Sequence, residues 1–167
     1  MTEPGLATRV RPVPFFPSLM PIRTASAHWS GSLSDGQGAI STETGTLSET
    51  PYSFNSRFKG QGAGTNPEEL IGAAHAGCYT MQLSHMLAEA GHPPTRAETT
   101  AKVHLEQVEG GFEIPKIDLV LTADVPGIDD DEFQRIAKEA SETCPLSKVL
   151  KAAEITLDAT LTQDATA

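Results

Sequence analysis

Cys78 and Cys144 are the only cysteines in this chain, and a pair of thiols is the constellation here most able to carry covalent chemistry. Cys78 ends the stretch "GTNPEELIGAAHAGC", which begins at Gly64 and reads as a capped helix start running into apolar surroundings. Cys144 stands before Pro145 in "CPLSKVLKA". A proline at the first helical position would set that thiol near the positive end of a helix dipole, with Lys148 one turn on. Both features favour a thiolate, the nucleophilic form of cysteine. The two residues lie far apart in sequence, so any pairing between them is tertiary. Spacing alone favours two inert, packed thiols, because free cysteine is among the most buried residue types.

Two charged residues bear on those thiols. Glu68 falls ten residues before Cys78, nearly three turns earlier on the same broad side of a helix. It reads either as a first-turn acid complementing the dipole, worth about 0.3–1 kcal/mol, or as the edge of a polar pocket. Arg57 lies among Tyr52, Phe54 and Phe58. Its planar fork could pair with a carboxylate and stabilise a thiolate, or could simply be solvated on a strand. Phe54, Phe58, Tyr79 and Met81 are candidates for an apolar pocket wall and equally for plain core. His75 precedes Cys78 by three residues, but one Cys and one His lack the further ligands that zinc needs. His75 reads as a core or interface histidine, and no metal or bound cofactor is expected.

These residues need elements to hold them. "ASAHWSG" (25–31) and "QGAISTETG" (37–45) read as strands joined at Asp35-Gly36, a strong hairpin signal. "TPYSFNSRFKGQGAG" (50–64) reads as a strand leading to a Gly-rich loop. Asn66 as N-cap, Pro67 at the first position and Glu69 at the capping-box position then start a long helix. No Asp, Glu, Lys or Arg occurs from Leu70 to Ala88. The polar His75, Thr80, Gln82, Ser84 and His85 argue for a central helix wrapped by sheet rather than a membrane span. Gly91, Pro93 and Pro94 end it.

Apolar and polar residues alternate over 99–109 and 111–125 around Gly110-Gly111, as in a half-buried hairpin. An amphipathic helix follows over 129–143 with Asp129 as N-cap, Glu132 at the capping-box position and Phe133, Ile136, Ala137 and Ala140 on one face. A short helix opens at Pro145 and a strand closes the chain over 154–162. Hairpins mixed with helices in this order predict an α+β fold with antiparallel sheets.

The whole chain sets the limits. Its 167 residues suit one domain with a real core. A net charge of −10 and the lack of a basic run exclude a nucleic-acid footprint. Two cysteines without a C-x-x-C suit a reducing, cytoplasmic compartment rather than a disulfide scaffold. Pro12, Pro14, Pro17 and Pro21 break up the apolar N-terminal patch, which therefore lacks the continuous core of a signal peptide. Residues 1–25 read as a Pro-rich extension, or as sequence upstream of a start at Met20, and 26–167 as a single domain.

Taken together and in order, "AHWSG", "PYSFNSRFKGQGAGTNPEELIGAAHAGC", "VPGID" and "CPLSKVLKAAEITLD" resemble the OsmC/Ohr family, and within it the osmotically inducible OsmC branch. The resemblance spans Ser26 to Thr162. It implies an intertwined homodimer with antiparallel sheets around a long central helix and with active sites at the subunit interface. It also implies a cofactor-free, thiol-dependent peroxidase acting in oxidative and osmotic stress defence, preferring organic hydroperoxides to hydrogen peroxide and recharged by a dithiol reductant of lipoyl type. By the same resemblance Cys78 is the peroxidatic and Cys144 the resolving cysteine, joined as a disulfide during turnover. Arg57 would stabilise the thiolate and Glu68 would hold that arginine. From the residues alone, a non-enzymatic dimer with inert cysteines remains the alternative.

Overall fold

The computed structural model describes residues 21–162; the expected N-terminal extension lies outside that range up to residue 20. Strands β1 (Ala25–Ser30), β2 (Gln37–Thr42) and β3 (Thr50–Ser53) form an antiparallel sheet in that order. Next comes a short helix that the sequence reading passed over as strand and loop, α1 (Phe54–Phe58). Its cause is local: the Ser56 N–H donates to Ser53 Oγ at 3.2 Å and the Ser53 N–H donates to Ser56 Oγ at 2.9 Å. This reciprocal box satisfies donors that a helix start leaves free.

The long helix α2 (Pro67–Glu89) begins where its signals put it. The Glu69 N–H donates to Asn66 Oδ1 at 2.8 Å. The Glu69 carboxylate accepts from the Thr65 hydroxyl at 2.9 Å, so it serves the residue before the N-cap instead of closing the expected box. Gly91, at φ +90°, ends the helix in the left-handed region.

A second sheet follows. Strands β4 (Arg96–Val108) and β5 (Gly111–Asp124) pair as the expected hairpin. Helices α3 (Asp130–Thr143) and α4 (Pro145–Val149) then carry the chain to β6 (Glu154–Thr162). This last strand runs parallel to β5, with Leu119 opposite Leu157, and so departs from an all-antiparallel arrangement. The two helices supply the crossover that a parallel pair requires.

One core joins these pieces. Tyr79, Leu83 and Leu87 of α2 are fully buried with Leu119, Leu121 and Ala123 of β5 and Phe133, Ile136, Ala137 and Ala140 of α3. Each large aliphatic side chain buried there contributes about 1.5–3 kcal/mol. Only one face of α2 is used. Ala73, Ala74, Gly77 and Met81 face outward, with Met81 76% exposed. The central helix expected to be wrapped by sheet is, within one chain, covered on one face. The first sheet is also thinly covered: β1 is exposed apart from a half-buried Trp29, and Leu33 is 61% exposed.

The first sheet is tied to the start of α2 by a close backbone approach. The Thr65 N–H donates to the Pro51 carbonyl at 3.0 Å, and the Ser56 hydroxyl donates to the Thr65 carbonyl at 3.1 Å. Gly64 sits at φ +112°, and a Cβ there would fall 1.9 Å from the Pro51 carbonyl oxygen. Gly64→Ala should therefore destabilise the fold by more than about 1 kcal/mol. Urea unfolding measures this, and an unchanged midpoint would contradict the account of the junction.

Candidate active site

Helix α2 delivers Cys78 about three turns in, and the α3–α4 corner delivers Cys144. Cys144 is the N-cap of α4 without a side-chain cap bond, and it is completely buried. Cys78 is half-buried. Both are free thiols, and their sulfurs share a hydrogen bond with Sγ to Sγ at 2.9 Å. The core packing of α2 on α3 therefore sets two residues remote in sequence in direct contact.

The surroundings oppose ionisation of Cys78. Burial pushes its thiol above the ordinary range, the hydrogen bond with Cys144 and that thiol's proximity add to the effect, and a backbone hydrogen bond from Leu146 pulls the other way. Tyr79, next in sequence, is wholly buried and donates to the Ala137 carbonyl at 3.3 Å. Burial holds its hydroxyl well above the usual range, so it stays neutral.

Arg57 and Glu68 form a second pair. Arg57 Nη2 donates to Glu68 Oε1 at 2.7 Å, and Nε reaches both carboxylate oxygens at 3.1 and 3.2 Å. The Glu68 side chain is 9% exposed and that of Arg57 is 35% exposed. The guanidinium also lies 5.1 Å from the Phe58 ring centroid, a distance at which a cation is attracted to the aromatic face. Phe54, Phe58, Trp29 and Tyr52 line a cavity of about 430 Å3 beside Arg57.

The two pairs remain apart within one chain. Glu68 precedes Cys78 by ten residues of α2, a rise of about 15 Å, and among the described residues Arg57 bonds Glu68 rather than Cys78. Of the candidate wall residues, Phe54 and Phe58 flank Arg57, Tyr79 is core, and Met81 projects outward. Another cavity, about 680 Å3, opens between α3, α4 and β6, and neither cysteine lines it.

His75 is fully buried, and its Nε2 lies 2.9 Å from Ser147 Oγ. His75 thus takes the core place expected of it, and its partner Ser147 carries no chemical motif of its own. The available signal was the mirrored spacing, His75-x-x-Cys78 against Cys144-x-x-Ser147. Among the described residues no group of three or more His, Cys, Asp or Glu side chains gathers as a metal site. Nor is any described helix long and apolar enough to cross a membrane.

Residues 60–159 match the family model described as OsmC-like protein. The chain belongs to the OsmC family. It is 54% identical over 136 residues to Peroxiredoxin OsmC of Escherichia coli, covering 81% of this chain and 94% of that one. It is 30% identical over 115 residues to the organic hydroperoxide resistance protein OhrB of Bacillus subtilis, covering 68% and 82%. Among solved structures it is similar to an organic hydroperoxide resistance protein OsmC from Legionella pneumophila. That likeness has TM-score 0.66 and 25% identity and covers 86% of this chain and 99% of that one. The family membership, the α+β class and the branch thus agree with what the motifs implied.

The Arg57–Glu68 bond pattern predicts a measurable coupling. A double-mutant cycle with Arg57→Ala and Glu68→Gln should give about 1–3 kcal/mol by urea unfolding. Additive effects within experimental error would show the pair to be a loose surface contact.

Proposed function

We propose that this chain is a cysteine-based peroxidase that reduces organic hydroperoxides, and hydrogen peroxide less well, in defence against oxidative and osmotic stress. The observation that carries the reading is the meeting of the only two thiols, sulfur against sulfur, in an OsmC-family core. The names of its relatives, a peroxiredoxin and organic hydroperoxide resistance proteins, support the substrate class.

The Cys78 thiolate attacks the distal peroxide oxygen. The O–O bond breaks, the alkoxide leaves as an alcohol after taking a proton, and Cys78 becomes a sulfenic acid. The Cys144 sulfur then attacks the Cys78 sulfur; the S–O bond breaks, and hydroxide leaves with the Cys144 proton as water. An external dithiol of lipoyl type reduces the resulting disulfide by two successive exchanges, so no bound cofactor is required. Thiols cycled in this way belong in a reducing, cytoplasmic compartment.

The first step needs a thiolate, yet burial in one chain favours the neutral thiol. A second copy resolves that conflict. Two α2 helices crossing antiparallel about a two-fold axis at Ala73 would set Glu68 of the partner subunit opposite Cys78, because 73 is midway between 68 and 78. Ala73 and Gly77 lie on the exposed face, and a Cβ on Gly77 would meet nothing within 4 Å, leaving room for such a crossing. A groove of about 410 Å3 runs beside Glu68, Gly72, Ala73 and Ala76. The partner subunit's Arg57, held by its own Glu68, then supplies the cation that a thiolate requires. The thinly covered first sheet fits an intertwined homodimer for the same reason.

Hydroperoxide consumption with a dithiol present tests this reading. Cys78→Ser should abolish turnover, and Cys144→Ser should stop at a sulfenic acid that a dimedone probe traps. Retained turnover in Cys78→Ser overturns the mechanism in favour of inert cysteines. Cys78→Ser and Arg57→Ala chains co-expressed under two tags separate shared from self-contained sites. Mixed dimers hold one intact site only if the arginine comes from the partner, and random pairing then restores about a quarter of wild-type activity. No restoration would place Arg57 and Cys78 in the same chain's site.

A further inference from the structure

The core holds a polar pair that the cycle above does not use. His75 is 0% exposed and Ser147 is 4% exposed. Their bond, Nε2 to Oγ at 2.9 Å, runs between α2 and α4, and so does the contact between the Cys78 and Cys144 sulfurs. Each partner stands three residues from a cysteine, and the order is reversed on the two helices. His75 meets Ser147 where Cys78 meets Cys144, so α2 and α4 are joined by two neighbouring rungs, one of sulfur and one of imidazole and hydroxyl.

The imidazole is an expensive group to keep there. Its Nδ1 is buried and has no hydrogen-bond partner among the described residues, and an unsatisfied buried polar atom costs about 1–3 kcal/mol. Burial lowers the pKa of His75, so the ring is neutral and offers no ionic attraction in return. Its hydrogen bonding is spent on Ser147 alone. A buried polar contact of this kind stabilises one register over its neighbours, since sliding the helices would leave both groups unpaired. Helix α4 has particular need of such a tie. It is five residues long, and its N-cap makes no side-chain bond, so little within α4 itself fixes where Cys144 points.

We propose that His75 and Ser147 are positioning residues for disulfide closure: their bond holds α4 in the register on α2 that keeps the Cys144 sulfur against Cys78. The inference rests on the two-cysteine cycle proposed above. It concerns the second step, in which Cys144 displaces hydroxide from the Cys78 sulfenic acid. It assigns no part to either residue in attack on the peroxide.

Time-resolved thiol chemistry on the full-length protein tests this. Reduced protein is mixed with one equivalent of an alkyl hydroperoxide, quenched with an alkylating reagent or dimedone, and weighed by mass spectrometry. In Ser147→Ala, peroxide consumption should keep its wild-type rate. Disulfide closure should slow about tenfold, the rate equivalent of one net hydrogen bond. The delayed sulfenic acid should also pass on to sulfinic acid at lower peroxide excess than in the wild type. His75→Gln, which keeps a hydrogen-bonding head, should close faster than His75→Phe. If the latter fails to fold, Ser147→Ala decides alone. Unchanged closure in Ser147→Ala, or equal slowing of both steps, overturns the positioning role while leaving the peroxidase reading intact. A wild type that consumes peroxide without forming the disulfide overturns both.

Discussion

The charge-free stretch of α2 governs the rest of this structure, because a helix without ionic side chains must find apolar cover on more than one side. Within one chain Tyr79, Leu83 and Leu87 find it against β5 and α3. That packing brings Cys78 to Cys144. The remaining face, with Ala73, Ala74, Gly77 and Met81, is left in solvent. An uncharged face of small residues is a poor surface for a soluble monomer and a good one for close helix packing. The same constraint that makes the thiol pair leaves the face on which the proposed homodimer would pack.

The fold brings the two sulfurs together, and burial favours the neutral form of Cys78. A dry site strengthens every electrostatic interaction inside it, so a cation placed beside Cys78 would act far more strongly than in water. The chain holds such a cation in readiness without spending it on Cys78. Glu68 grips the Arg57 guanidinium through three hydrogen bonds, so the fork is already oriented and little conformational entropy remains to be lost. The Gly64 approach to Pro51 fixes the junction on which both residues depend. Because Arg57 bonds Glu68, ten residues before Cys78 on α2, the proposed reactive state would be a property of a two-chain assembly. Within one chain Cys78 is held toward the neutral thiol.

Much of this was legible in the sequence where the signals were local. Asn66 and Pro67 marked the start of α2, Asp129 marked that of α3, and Gly110-Gly111 marked the β4–β5 turn, because caps and turns draw on adjacent residues. The parallel pairing of β6 was not legible, since alternation in "EITLDATLT" reports a pleated strand but not its direction. Helix α1 was hidden by its aromatic residues, which favour strand, and its box rests on two serines with no acidic partner. The long α2 read as wrapped by sheet, because composition reports that a face needs cover but not how many of its faces one chain covers. Of the site, the two thiols, Arg57 and Glu68 were legible as residue types; the structure sets the sulfurs 2.9 Å apart and pairs Arg57 with Glu68. Ser147 was not, because a serine in a short helix carries no signal of its own until His75 is seen across from it.

The proposed cycle requires that a hydroperoxide convert the Cys78–Cys144 contact into a covalent bond. Intact-mass and peptide-map analysis of the reduced wild-type protein after one equivalent of an alkyl hydroperoxide tests it most directly. The account predicts that the chain loses the mass of two hydrogens, that both free thiols disappear, and that one linked peptide pair holds Cys78 and Cys144. A chain that keeps both thiols while the hydroperoxide remains unconsumed would contradict it.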